Sequence, residues 1–143
     1  MVQVSGLIAS TLRTPWVYWS AMQLHDPTAG DAGEGLLNQQ TRRPVPGLAR
    51  AVAVPYAWAT GGVPGSQAYD RATRVFRYGY RVDPAVDAPT LIDVPTYTYP
   101  SGYATTVTGG RVVSRRNAPL LELRATPRAA QVSVTVRPRR QRP

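Results

Sequence analysis

The side chains able to do chemistry are few, and their spacing argues against catalysis. His25 is the only histidine in 143 residues, and it sits in the turn-like run Leu24-His25-Asp26-Pro27 with no Gly-x-Ser-x-Gly elbow anywhere in the chain. A loop histidine with a local contact to Asp26 is the expectation. Asp70, Asp83, Asp87, Asp93 and Glu122 offer carboxylates for a glycosidase-type pair, but that chemistry needs two facing carboxyls in a cleft, and the sequence signals none. Asp26, Asp31 and Glu34 alternate with Gly30, Gly33 and Gly35, yet their spacing fails the EF-hand pattern. Gly61-Gly62-Val63-Pro64-Gly65-Ser66 lacks the lysine of a phosphate loop, and Pro64 removes a backbone donor, so it reads as a turn. With no cysteine and one histidine, thiolate and multi-imidazole metal sites are excluded, and no metal or cofactor is expected.

Two constellations point to binding instead. In the first, Arg74, Arg77, Tyr78, Tyr80 and Arg81 interleave guanidinium and aromatic groups, which would suit bases of single-stranded nucleic acid or a protein interface. A core strand with one wetter face explains the same residues. The second is a basic edge and tail: Arg111, Arg115, Arg116, Arg137, Arg139, Arg140 and Arg142, with Arg124 and Arg128 between them. Phosphates or an acidic protein face would complement it.

The charge is one-sided. All 17 basic residues are arginine. Codon bias in a GC-rich genome accounts for the missing lysine, but not for where the arginines fall. Residues 1–110 carry eight Arg against seven acids, whereas residues 111–143 carry nine Arg against Glu122 alone. A basic end on a near-neutral body suggests a docking surface.

The elements that must position these residues read mostly as strands. Thr105-Thr106-Val107-Thr108, then Gly109-Gly110, then Arg111-Val112-Val113-Ser114 is the pattern of a two-residue hairpin, with Val107 opposite Val112 and Thr106 opposite Val113. Leu48 to Trp58 alternates large and small residues, Gln131 to Arg137 places Val132, Val134 and Val136 on one side, and Arg77 to Val82 puts Tyr78, Tyr80 and Val82 on one face. Leu120 to Arg124, Val2 to Ile8 and Trp16 to Trp19 are weaker strands. Gln67 to Phe76, behind Ser66, is the one helix-compatible stretch. Residues 25–47, 61–65 and 83–89 read as loops, the first long enough to be an arm, and 137–143 as an extended tail.

The expected fold class is therefore all-β. It is an antiparallel sandwich or barrel with a Gly-Gly hairpin, long loops, at most one short helix and a basic C-terminal tail, formed as a single domain over 1–136. No apolar run reaches membrane length and no membrane partner is expected. The function expected is non-enzymatic: a structural subunit of a virion, such as a capsid decoration, minor capsid or head-tail protein of a virus or phage with a GC-rich genome. Its partners would be other subunits of that assembly, including copies of itself, with nucleic acid possible through the C-terminal arginines. A nucleic-acid-binding module such as a peripheral ribosomal protein is the alternative, and an enzyme is the least favoured class.

Overall fold

The computed structural model describes residues 35–38 and 40–139. The strands expected at 2–8 and 16–19, His25 and the end of the tail lie outside the described residues. The chain divides into two compact units, residues 1–53 and 54–143.

In the first unit Leu37 bridges Pro44 across a turn in which the Asn38 side-chain oxygen accepts from the Gln40 and Thr41 amides. Helix α1 follows at Pro46–Val52. This corrects the strand expected from Leu48 onward. Pro46 opens the helix, where its missing N–H costs nothing, and Leu48, Ala49, Arg50 and Ala51 are strong helix formers. The strand signal survives only at the end of that run, in β1 (Tyr56–Ala59).

The second unit is built of β1 and seven further strands: β2 (Gly62–Asp70), β3 (Val75–Val82), β4 (Thr90–Asp93), β5 (Tyr103–Thr108), β6 (Gly110–Val112), β7 (Leu120–Ala125) and β8 (Gln131–Pro138). They form two four-stranded sheets, ordered β1-β4-β7-β6 and β2-β3-β8-β5, with every neighbouring pair antiparallel. The molecule is thus mostly β-sheet with one short helix among the described residues. No described helix is long and apolar enough to cross a membrane.

Alternation along the strands selects the core. Phe76, Tyr78 and Tyr80 of β3 and Val132, Val134 and Val136 of β8 join Ile92 of β4 and Leu121 and Leu123 of β7 in one buried cluster. Both sheets therefore turn their apolar faces into the same interior, and burial of that area is the main stabilising term.

The Gly-Gly hairpin does not form. Gly109 takes a left-handed φ of +72° and redirects the chain from one sheet to the other, so β5 and β6 belong to different sheets. Val107 pairs with Val134, and Val112 pairs with Leu123. The helix-compatible stretch 67–76 is also corrected. Asp70 accepts from the Ala72 and Thr73 amides and Arg74 adopts a φ of 55°, which makes a tight turn between β2 and β3. The 61–65 break, read as a turn, runs into β2 at Gly62. Its irregularity is a register shift between Pro64 and Gln67, where an extra residue bends the strand. Arg137 and Pro138, expected in the tail, close β8.

Candidate functional site

Because side chains alternate across a strand and cross-strand partners share a face, the registers fix which arginines meet. In β3 the odd residues Arg77, Gly79 and Arg81 point away from the core, opposite Thr135, Ser133 and Gln131 of β8. Thr106 and Thr108 of β5 lie beyond Thr135 and Ser133, and Ala104 beyond Arg137. On the other side of β3, Ala68 is opposite Arg77, and Val63 opposite Arg81.

The outer face of the β2-β3-β8-β5 sheet is thus an exposed plane whose cations are Arg77, Arg81 and Arg137 and whose middle is small or hydroxylic: Gly79, Ser133, Thr135 and Thr106. Arg77 and Arg81 stand roughly 13 Å apart along their strand at ~3.3 Å per residue. Arg137 lies one pair beyond Thr135, making it a diagonal neighbour of Arg77 at about 7–8 Å.

Asp70 is the acid at the corner of this face, and its carboxylate is engaged locally. The Thr73 backbone and hydroxyl and the Ala72 amide donate to it, and with the Arg77 charge they hold its pKa below the usual carboxylate range. The ion pair among the described residues, Arg124 to Asp87 at 3.0 Å, is elsewhere.

The sequence-predicted residues are distributed as follows. Arg77, Arg81 and Arg137 come together. Tyr78 and Tyr80 do not join them: both are 4% exposed, with rings stacked at 5.9 Å inside the core, so neither can take a base or a partner side chain. The Tyr-Arg interleaving was the alternation of a half-buried strand. Arg74 sits in the β2–β3 turn, where its carbonyl accepts from the Tyr99 hydroxyl. Arg111 belongs to the other sheet, opposite Arg124, and Arg115 and Arg116 are exposed in the β6–β7 connection. Arg139 folds back, its Nε donating to the Tyr103 carbonyl at 3.3 Å. Arg140 and Arg142 lie outside the described residues. The hydroxyls at Thr106, Thr108, Ser133 and Thr135 were not among the candidate site residues. Their signal was the alternation of each strand, readable once its partner was known.

Carboxylates are not gathered for catalysis here. Asp93 and Glu122 share the outer face of the β1-β4-β7-β6 sheet, with Leu120 opposite Asp93 and Leu91 opposite Glu122. Both are half-buried there. A cleft of about 340 Å³ lined by Val94, Thr96, Tyr99, Tyr103 and Asn117, among others, carries no carboxylate at all. No group of three His, Cys, Asp or Glu able to hold a metal ion occurs among the described residues.

Residues 55–136 match the family model described as the glycoside hydrolase family 5 C-terminal domain. Endoglycoceramidase I of Rhodococcus hoagii is 34% identical over 106 residues, which are 72% of this chain and 18% of that protein. The structure of endo-glycoceramidase II from Rhodococcus sp. in its ganglioside GM3 complex superimposes with a TM-score of 0.72 at 23% identity, covering 97% of this chain and 28% of that one. Sterylglucosidase 1 of Cryptococcus neoformans gives a TM-score of 0.55 at 22% identity over 64% of this chain and 14% of that one. The chain therefore spans less than a third of the length of the proteins it matches.

These likenesses overturn the functional expectations drawn from composition. The relatives are glycosidases, so the virion subunit, the non-enzymatic class and the virion location are all set aside. The features behind them, strand richness, absent catalytic groups and a basic end, are equally those of one domain of a larger enzyme.

Proposed function

Since the chain belongs to the glycoside hydrolase family 5 C-terminal domain family, we propose that it is the two-sheet sandwich module of a glycosidase that cleaves a sugar from a lipid. The carrying observation is the family match over residues 55–136, which runs from just before β1 into β8. The substrate class is taken from the relatives' names, endoglycoceramidase and sterylglucosidase, each of which pairs a sugar term with a lipid term.

In this reading the facing carboxyl pair of glycoside hydrolysis comes from outside residues 55–136, where Asp93 and Glu122 are each opposite a leucine rather than each other. The module's contribution is to hold and orient the enzyme at its substrate, and the arginine face is the surface it offers for that. Both sheets spend their apolar sides on the shared core, which leaves the outer faces free for contact.

The test is a chimera. In the Rhodococcus hoagii endoglycoceramidase I, the segment that aligns with this chain is replaced by the aligned residues of this chain, carried through the end of β8 at Pro138, and glycan release from a glycosylceramide is measured. Activity within roughly tenfold of the parent, a loss below 1.4 kcal/mol, supports the reading. A chimera no more active than the parent with that segment deleted, or no better than one carrying an unrelated two-sheet domain, rejects it.

A further inference from the structure

The outer face of the β2-β3-β8-β5 sheet has the chemistry of a lipid-headgroup surface reader. Arg77, Arg81 and Arg137 are exposed there, none of them in an ion pair or side-chain hydrogen bond among the described residues, while the one acid at the corner, Asp70, is occupied by its own turn. Three guanidiniums facing this single carboxylate leave an excess of positive charge, which is complementary to anions. Shape decides which anions. Gly79 keeps the space between Arg77 and Arg81 low, Ala68 and Ala104 do so at the two edge strands, the cleft lined by Tyr99 and Asn117 is not on this face, and the Ser133 and Thr135 hydroxyls stand between Arg81 and Arg137. That is a broad plane, suited to a surface of many anions rather than to one enclosed ligand. An exposed apolar residue lies on the same face: Val63, the partner of Arg81, is 46% exposed.

We propose that this face docks the protein on the headgroups of an anionic phospholipid bilayer, with Arg77, Arg81 and Arg137 on phosphates and carboxylates. The choice of a lipid surface rests on the reading of the chain as part of a glycolipid-cleaving enzyme. This is peripheral attachment and needs no span, so it is compatible with the sequence's lack of a membrane-length apolar run.

The experiment is co-sedimentation of the full 143-residue chain with two kinds of vesicle, phosphatidylcholine alone and equal parts phosphatidylcholine and phosphatidylserine. The chain should partition onto the anionic vesicles and fall off as salt rises. The triple variant Arg77→Gln/Arg81→Gln/Arg137→Gln should lose roughly 100- to 200-fold in partitioning, since each arginine near an anionic surface contributes about a factor of five. The triple Arg→Lys variant, which keeps the charge, should hold most of the affinity and guards against a folding artefact. Removing the same charge elsewhere, with Arg111→Gln/Arg115→Gln/Arg116→Gln, should cost far less.

Equal partitioning onto both vesicles, equal losses from the two Gln triples, or binding only when a sialylated glycolipid replaces phosphatidylserine would each overturn the proposal. Vesicle binding is read without any turnover. A chimera that fails while the vesicle result holds therefore counts against the enzyme reading, and the reverse outcome counts against the docking face.

Discussion

The Tyr99 hydroxyl donates to the Arg74 carbonyl at 2.8 Å, tying the segment between β4 and β5 to the turn between β2 and β3. The ring is 3% exposed and meets Tyr103 edge-on at 6.0 Å, so both its apolar body and its polar tip are committed. Arg74 holds a left-handed φ of 55°, a conformation that a non-glycine residue keeps only when its surroundings over-determine it. Replacing Tyr99 by Phe keeps the packing and removes the donor. The expected loss is about 1–1.5 kcal/mol in urea denaturation. A variant with an unchanged midpoint would show that the bond does not hold the turn.

The same ring makes the protein sensitive to alkali. Burial raises the pKa of Tyr99 well above the ordinary tyrosine value near 10, and burial likewise raises Tyr103 and Tyr69. Above about pH 10 the unfolded chain has lost phenolic protons that the folded chain still holds. Stability is thus full below the unfolded value and falls as pH rises toward the folded ones. Thermal midpoints should be level from neutral pH to about pH 9 and then decline, and Tyr99→Phe should flatten part of that decline. An equally steep fall in the variant would place the alkaline loss elsewhere.

What the sequence made legible depended on how far away the deciding partner lay. Gln131 to Arg137 and Arg77 to Val82 were readable because alternation is a local property and both strands are half-buried. The Gly109-Gly110 hairpin was misread although its local signal is sound. Glycine permits either a tight return or a change of sheet, and Val134, 27 residues after Val107, decides between them. Pro46 to Val52 failed for a different reason: seven residues of small and large side chains fit either period, and helix propensity with Pro46 at the start prevailed. For the candidate face, Arg77 and Arg81 were legible as one side of a strand. The addition of Arg137 and the removal of Tyr78 and Tyr80 needed the register and the burial. The glycosidase family left no catalytic motif to find in these residues.

Asp93 carries a cost that a neutral side chain would relieve. It lies between Tyr56 and Leu120 on adjacent strands, and burial raises its pKa above the ordinary carboxylate value. The unfolded chain therefore ionises first, and stability declines as pH rises from about 4 through the folded value, then levels. Asp93→Asn removes that term. With the side chain only partly buried the gain is capped near 0.5 kcal/mol, which corresponds to roughly 2–4 °C at pH 7. It should vanish at acid pH, where the wild-type carboxyl is protonated in both states. A gain that persists there would point to packing rather than charge.

Gly109 and Gly47 separate a required glycine from a replaceable one. At Gly109 the left-handed φ of +72° disfavours any L side chain, and an added Cβ would strike the Gln131 carbonyl oxygen on β8. That position also fixes the change of sheet, because its carbonyl accepts from the Thr126 amide at 3.0 Å and from the Thr126 hydroxyl at 3.1 Å. Gly109→Ala must therefore either strain the backbone, at about 1–2 kcal/mol, or push β5 and β8 apart, and a total loss above about 2 kcal/mol is expected. Gly47 lies in α1 with nothing within 4 Å of the Cβ it lacks. There alanine adds helix propensity and reduces the freedom of the unfolded chain, so Gly47→Ala should be neutral or stabilising by up to about 1 kcal/mol. The two variants are the same chemical change with opposite expected signs in thermal denaturation. If Gly109→Ala melts with the wild type, the crossing between sheets does not depend on this glycine, and the account of why β5 and β6 part fails with it.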